Sequence, residues 1–282
     1  MAFRERRITA QDGLSLYLRD YGNPISAHPP VLCLGGISRN SRDFEALAPH
    51  LAANRRVVCP DYRGRGRSDY DSDWNNYHPK VYLSDALDIL TALDLHRAVV
   101  IGTSMGGLLA MALASARPGA ISAVVLNDIG PVIDPAPIAR IKSYLGADQR
   151  PADWDEAIAV LKRNFQHGGM TDRDAWLTFA KRIYREDADG GLRHDFDPGI
   201  LSQFKSASSK PITLWPAYRA LLKFPVLAIR GDLSDILTPE TFARMTAEKP
   251  DLITLTLGGV SHAPLLDEPE TVSAIDDFLS RL

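Results

Sequence analysis

The chain has 282 residues, 45% of them hydrophobic and 24% charged, with a formal net charge of −3. That length carries one large α/β domain or two small ones, and the charge balance offers no surface for a polyanion, so nucleic acid is not expected as a partner. No apolar run reaches the roughly 20 residues that span a bilayer, and Met1 to Ile8 lacks the apolar stretch of a secretory signal, so neither a membrane nor an export route is expected.

Residues 2–10 and 13–21 alternate loosely between apolar and polar around Gln11-Asp12-Gly13, which predicts a β-hairpin. Val31 to Leu34 is a short apolar strand ending at Gly35-Gly36. Ser41 to Ala53 has helical periodicity, interrupted by Pro49. Arg56 to Cys59 is the next strand, followed by the Gly-punctuated loop from Asp61 to Asp69. Residues 80–94 read as a helix, Ala98 to Ile101 as a strand, and 121–126 as another strand ending in Asn127-Asp128. Cys33 and Cys59 each lie in such an apolar run, which predicts buried free thiols in a cytoplasmic protein; no Cys/His spacing predicts a metal site.

From Gly130 to about Phe224 the rhythm changes to helices, near 136–145, 153–165, 173–184 and 215–223, with three of the four tryptophans (Trp154, Trp176, Trp215). Alternation resumes with a strand at 225–230, a helix near 239–247, a strand at 252–257 and a last helix at 269–281. Near-continuous apolar strands alternating with helices predict an α/β fold, a mostly parallel sheet with helices on both faces. The expected organisation is a core of residues 1–130 and 225–282 with a helical lid or cap at 131–224.

Gly102-Thr103-Ser104-Met105-Gly106 joins the strand at 98–101 directly to a helix-forming run. Strand, sharp turn and helix is the context in which Gly-x-Ser-x-Gly lifts a serine hydroxyl above a sheet. A serine hydroxyl needs a base and a carboxylate that orients the base. Of the seven histidines, His262 follows the last strand in Gly259-Val260-Ser261-His262, just before the last helix. His28, His50, His78, His96, His167 and His194 show no partner pattern. For the carboxylate, Asp235 is placed deep in the loop after the 225–230 strand and is the first choice. Asp128 is the alternative, at the end of the preceding strand, and Asp232 reads as a loop brace. Backbone N–H donors for an oxyanion are expected at Met105 and at Ile37, with Gly36 next to it.

These pieces together resemble the α/β-hydrolase superfamily, and within it the lidded, esterase-like enzymes. The resemblance spans essentially the whole length and is carried by Gly35-Gly36, Asp61 through Ser68, Gly102 through Gly107, Gly231 through Asp235 and Gly259 through His262. It implies Ser104 as nucleophile, Asp235 as acid, His262 as base, no cofactor and a small-molecule substrate. It also implies a bracing role for Asp61 to Ser68. Gly35 stands where such enzymes commonly carry His, a departure that bears on the oxyanion loop. Arg39 and Arg42 either meet an anionic substrate group or brace the loop.

The function this implies is hydrolysis of a carboxylic ester or lactone of a small apolar or aromatic substrate through an acyl-enzyme. A cofactor-free C–C bond hydrolase would use the same three residues, and a non-enzymatic ligand-binding member of the fold is the remaining alternative. Dehalogenase and epoxide hydrolase chemistry would need Asp where the chain has Ser104.

Overall fold

A computed structural model describes residues 3–147, 150–165, 170–204 and 210–282 of the protein; His167 lies outside the described residues. The N-terminal alternation forms antiparallel strands β1 (Arg4–Thr9) and β2 (Ser15–Tyr21), turning through Gly13 at φ 89°. Strand β3 (Val31–Leu34) follows. The helical run expected over 41–53 is divided into a 3-10 turn at Ser41–Phe44 and a short α1 (Leu47–Leu51). Pro49 sits in the first turn of α1, where a missing N–H breaks no helical hydrogen bond, so the helix begins late around it.

Then come β4 (Val57–Pro60), α2 (Pro79–Ala92), β5 (Ala98–Thr103), α3 (Met105–Ala116) and β6 (Ile121–Asn127). The stretch that follows holds β7 (Val132–Ile133), α4 (Pro135–Gly146), α5 (Trp154–Asn164), α6 (Arg173–Ile183), β8 (Tyr184–Glu186), β9 (Leu192–His194), β10 (Ile212–Thr213) and α7 (Trp215–Arg219). The chain ends with β11 (Val226–Gly231), α8 (Pro239–Glu248), β12 (Ile253–Leu257) and α9 (Pro269–Leu279).

Eight strands form one sheet in the order β1-β2-β4-β3-β5-β6-β11-β12. The strands from β4 to β12 in that order pair in parallel, while β2 is antiparallel to both its neighbours. The central strands feed both faces. Leu32, Val100, Val124 and Ala228 enter one core cluster, and their sequence neighbours Val31, Val99, Ala123 and Leu227 enter the other. That is the period-two geometry of a strand buried on both sides, and it explains why these strands read as unbroken apolar runs. One face is covered by α2, α3, α7 and α8 through Ile89, Leu109, Tyr218 and Met245. The other is covered by α1 and α9 through Leu47, Ile275 and Phe278.

Between β6 and β11 the chain leaves the sheet. Helices α5 and α6 build their own cluster from Leu161, Trp176, Phe179 and Ile183. Helix α7 does not join it: Trp215 and Tyr218 pack with the main core, and the Tyr218 hydroxyl donates to the Met245 carbonyl at 2.8 Å. No helix among the described residues is long and apolar enough to cross a membrane. Cys33 and Cys59 are free and buried.

Parallel pairing places the C-terminal ends of β3, β5, β6, β11 and β12 along one edge of the sheet, where the loops carrying Gly36, Ser104, Asp128, Asp235 and His262 begin. Helix α3 presses against that edge so closely that a Cβ on Gly106 would lie 2.0 Å from the Leu34 carbonyl oxygen. Backbone cannot yield as a flexible side chain can, so overpacking here should cost about 3 kcal/mol or more. Gly106→Ala is expected to lower the urea midpoint accordingly, with an unchanged slope, and an unshifted midpoint would show that α3 can move away from β3.

Candidate active site

Ser104 follows β5 and precedes α3 with φ 52° and ψ −116°, a conformation that L residues avoid. The glycines around it are a steric requirement: a Cβ on Gly102 would lie 2.4 Å from the Gly106 carbonyl carbon, and one on Gly107 would lie 2.3 Å from Ile129 Cγ2. The turn is fastened by Ser104 N–H to the Asn127 carbonyl at 3.0 Å and by Gly107 N–H to the Ser104 carbonyl at 2.9 Å.

Ser104 Oγ lies 2.9 Å from His262 Nε2, and His262 Nδ1 lies 2.7 Å from Asp128 Oδ2. Asp128 is fully buried, and its second oxygen, Oδ1, accepts from Gly231 N–H at 3.0 Å. Its carboxylate is thus held on both sides, with one oxygen left for the imidazole. The loop bearing His262 is anchored by Asn127, whose side-chain amide donates to the Pro264 carbonyl at 2.9 Å and to Thr103 Oγ1 at 3.0 Å.

The acid expected at Asp235 is therefore corrected: the carboxylate on His262 belongs to Asp128. Asp235 is exposed and forms a forked pair with Arg140 of α4, at 2.8 and 3.1 Å. The reason lies in the loop after β11. Ser234 Oγ accepts from the N–H groups of Ile236 and Leu237, and Arg230 Nε donates to the Leu237 carbonyl at 2.7 Å, so Asp235 is turned out at the apex. The His262 loop meanwhile crosses the end of β11, with the Val260 carbonyl accepting from Leu233 N–H at 3.0 Å. A Cβ on Gly231 would lie 2.3 Å from that same carbonyl oxygen. Asp232 is the brace expected of it, accepting from Val260 N–H at 3.2 Å.

Met105 N–H is the first amide of α3, and the first amides of a helix have no partner within it. Gly36 and Ile37 border the same cavity as Ser104, and a Cβ on Gly36 would lie 3.9 Å from Ser104 Cβ. The Ile37 peptide is held by buried Arg65, whose Nε donates to the Ile37 carbonyl at 2.8 Å while its NH1 donates to the Arg63 carbonyl and the Tyr82 hydroxyl. Asp61 holds the loop from below, accepting from Ser41 N–H at 2.7 Å and Arg67 N–H at 2.8 Å. Burial pushes the Asp61 carboxyl above its ordinary range. The run from Asp61 to Ser68 thus supports the loop between β3 and α1. Gly35, for its part, accepts at its carbonyl from the buried Tyr62 hydroxyl at 3.2 Å.

The cavity over Ser104 is walled on one side by this loop and on the other by α4 and α6, with Phe44, Tyr144, Phe165 and Phe179 as its aromatic surfaces. Two tryptophans of the inserted segment lie away from the cavity: Trp176 is buried with α5 and α6, and Trp215 lies on the main core beneath Arg244. Arg39 lines the cavity. Arg42 does not; it pairs with Asp195 at 2.6 Å and braces the loop. Among the described residues no group of three or more His, Cys, Asp or Glu side chains is placed to hold a metal ion.

This fold and edge arrangement define an α/β hydrolase. The family model for the alpha/beta hydrolase fold matches residues 29–269, and the chain belongs to that family and is a hydrolase. It is 33% identical over 272 residues to a 3-hydroxybutyrate-oligomer hydrolase of Cupriavidus necator, covering 93% of this chain and 91% of that protein. It is 27% identical to a 2-(acetamidomethylene)succinate hydrolase of Mesorhizobium japonicum, covering 94% and 92%. The crystal structure of an alpha/beta hydrolase from Novosphingobium aromaticivorans superimposes with a TM-score of 0.93 at 42% identity over the full length of both chains.

Asp61 accepts with both oxygens, so an amide in its place must turn its NH2 group toward one backbone N–H. Asp61→Asn should cost about 1–3 kcal/mol, read as a lower urea midpoint. An unchanged midpoint would mean that the two backbone contacts contribute nothing.

Proposed function

We propose that the protein is a serine hydrolase acting on a carboxylic ester or lactone of a small molecule. The observation that carries this reading is the continuous relay from Ser104 Oγ through His262 to Asp128, at 2.9 and 2.7 Å. In it, Asp128 Oδ2 accepts the Nδ1 proton and fixes the tautomer that leaves Nε2 free as a base. Nε2 takes the hydroxyl proton as Oγ attacks the carbonyl carbon. The negative charge that develops on the substrate oxygen is met by the N–H groups of Met105 and Ile37, donors fixed beforehand by the start of α3 and by the Arg65-held loop. His262 then gives its proton to the leaving alcohol, an acyl-Ser104 forms, and water activated by the same Nε2 releases the acid.

The burial of Asp128 suits its part. A carboxylate with no solvent contact has its partners set by the protein, and the imidazolium formed during attack meets it across a low-dielectric gap. The part of the inserted segment that carries α4 and α6 acts as the lid, both helices lining the cavity over the serine. The name of the Cupriavidus relative denotes an oligoester substrate, which supports an ester as the bond cleaved.

Ser104→Ala is expected to reduce kcat on p-nitrophenyl butyrate by several orders of magnitude, as loss of a nucleophile does; equal rates would overturn the serine mechanism. The acid is tested by a pair of variants. Asp128→Asn should lower kcat by about 10⁴, the size seen when such an imidazole is held in the wrong tautomer. Asp235→Asn, which only loses a surface pair with Arg140, should stay within about twofold. The reverse ranking would return the role to Asp235.

A further inference from the structure

The cavity over Ser104 is apolar in most of its wall, yet its charged lining is uneven: Arg39, Arg140 and Arg182 face it with Asp43 as the acidic side chain among the described residues. The two of these that are shielded from solvent, Arg39 and Arg182, have donors to spare, while Arg140 is half exposed. Arg39 is engaged by Asp43 through Nε and NH2, and its NH1 has no partner among the described residues. It lies over the Phe179 ring, 5.1 Å from the centroid. Arg182 stands three residues further along α6, with its side chain 6% exposed. Its NH2 donates to Asp267 at 3.0 Å, but its Nε is buried without a hydrogen-bond partner.

A buried guanidinium N–H left unpaired is costly, and natural structures keep such donors where something else completes them. Arg39 is also close to the reaction centre. A Cβ on Gly36 would lie 3.1 Å from Arg39 Cγ and 3.9 Å from Ser104 Cβ, so the Arg39 stem and the serine border the same glycine.

We propose that Arg39 and Arg182 form an anion subsite, and that the substrate is a small ester bearing a free carboxylate a few bonds from the scissile bond. The inference rests on the reading of Ser104 as nucleophile and deepens it by naming the substrate class. A carboxylate entering here leaves water for a pocket walled by Phe179 and aliphatic side chains, where the unmade N–H bonds of the two arginines replace its hydration. Phe179 presents its face to the Arg39 guanidinium. A neutral ester of the same shape leaves those donors unpaired, which is the situation that gives strong discrimination between a polar substrate and its analogue.

The probes are the linear dimer of 3-hydroxybutyrate as its free acid and as its terminal primary amide, which share the scissile ester and differ in charge. The native protein is expected to show kcat/KM about a hundredfold higher for the acid, about tenfold for the charge-assisted hydrogen bonds of each arginine. Arg39→Gln and Arg182→Gln should each lower that acid-to-amide ratio by about tenfold or more, whereas Arg42→Gln, outside the cavity, should keep it. Equal kcat/KM for the two probes in the native protein overturns the proposal, as does a ratio that neither arginine variant changes. Calorimetric binding of both probes to Ser104→Ala separates this from the reading of the serine, because it needs no turnover. Tighter binding of the acid supports the subsite even if the ester is not cleaved, and equal affinity or absence of binding overturns it.

Discussion

The approach of helix α3 to the sheet edge governs the rest of the site. Two glycines permit it: Gly102 and Gly106 face each other across the turn, and Gly106 rests on the carbonyl of Leu34. With α3 this close, the chain can pass from β5 into the helix only through a backbone that holds Ser104 at φ 52°. Such a conformation costs on the order of 1–3 kcal/mol and persists where its surroundings over-determine it. Here the surroundings are the buried body of α3, with Leu109, Ala110 and Leu113 on the core. The helix supplies the stability, and the turn converts it into a fixed position for one hydroxyl and, next to it, one free amide.

Around that fixed point the loops are tied to the sheet by buried polar groups more than by apolar contact. Arg65 reaches from the loop after β4 to the Ile37 carbonyl, Asp61 accepts from Ser41, and Asn127 joins β6 to the His262 loop at Pro264. Each of these groups is buried, so each bond is made away from competing water, where a missing partner is expensive. The loops that face a small molecule therefore have little freedom to drift, although none of them is part of the regular structure. The cavity above is different in kind. Its walls come from α4 and α6, elements that share a separate cluster or pack at the margin of the main one, and its cationic side chains are paired with single acids.

Much of the site could be read along the chain. Ser104, Met105 and the glycines were recognisable because the motif is local: strand, turn and helix lie within about a dozen consecutive residues. His262 was recognisable because it lies in the loop after the last strand. The acid was not. Asp128 and Asp235 both follow a parallel strand, β6 and β11, that are neighbours in the sheet, and nothing local ranks them. What separates them is the crossing of the 258–264 loop over the end of β11, together with the Ser234 turn that sends Asp235 outward to Arg140. Asn127 was visible only as the end of a strand, and its hold on Pro264 spans 137 positions of sequence. Helical spacing shows that an aromatic faces something, but not whether that is a neighbouring helix or a cavity; Trp176 and Trp215 are core residues.

The sequence by itself determined the fold class, the order of the sheet strands and of the helices between them, and two residues, Ser104 and His262, that the structure brings together. These follow from periodicity and from short motifs, which act through neighbours in the chain. The tertiary structure decided which carboxylate meets His262, which arginine enters the cavity and which only braces it. Those outcomes depend on where loops cross and which buried donors are left over, and such contacts exist only once distant segments are packed together.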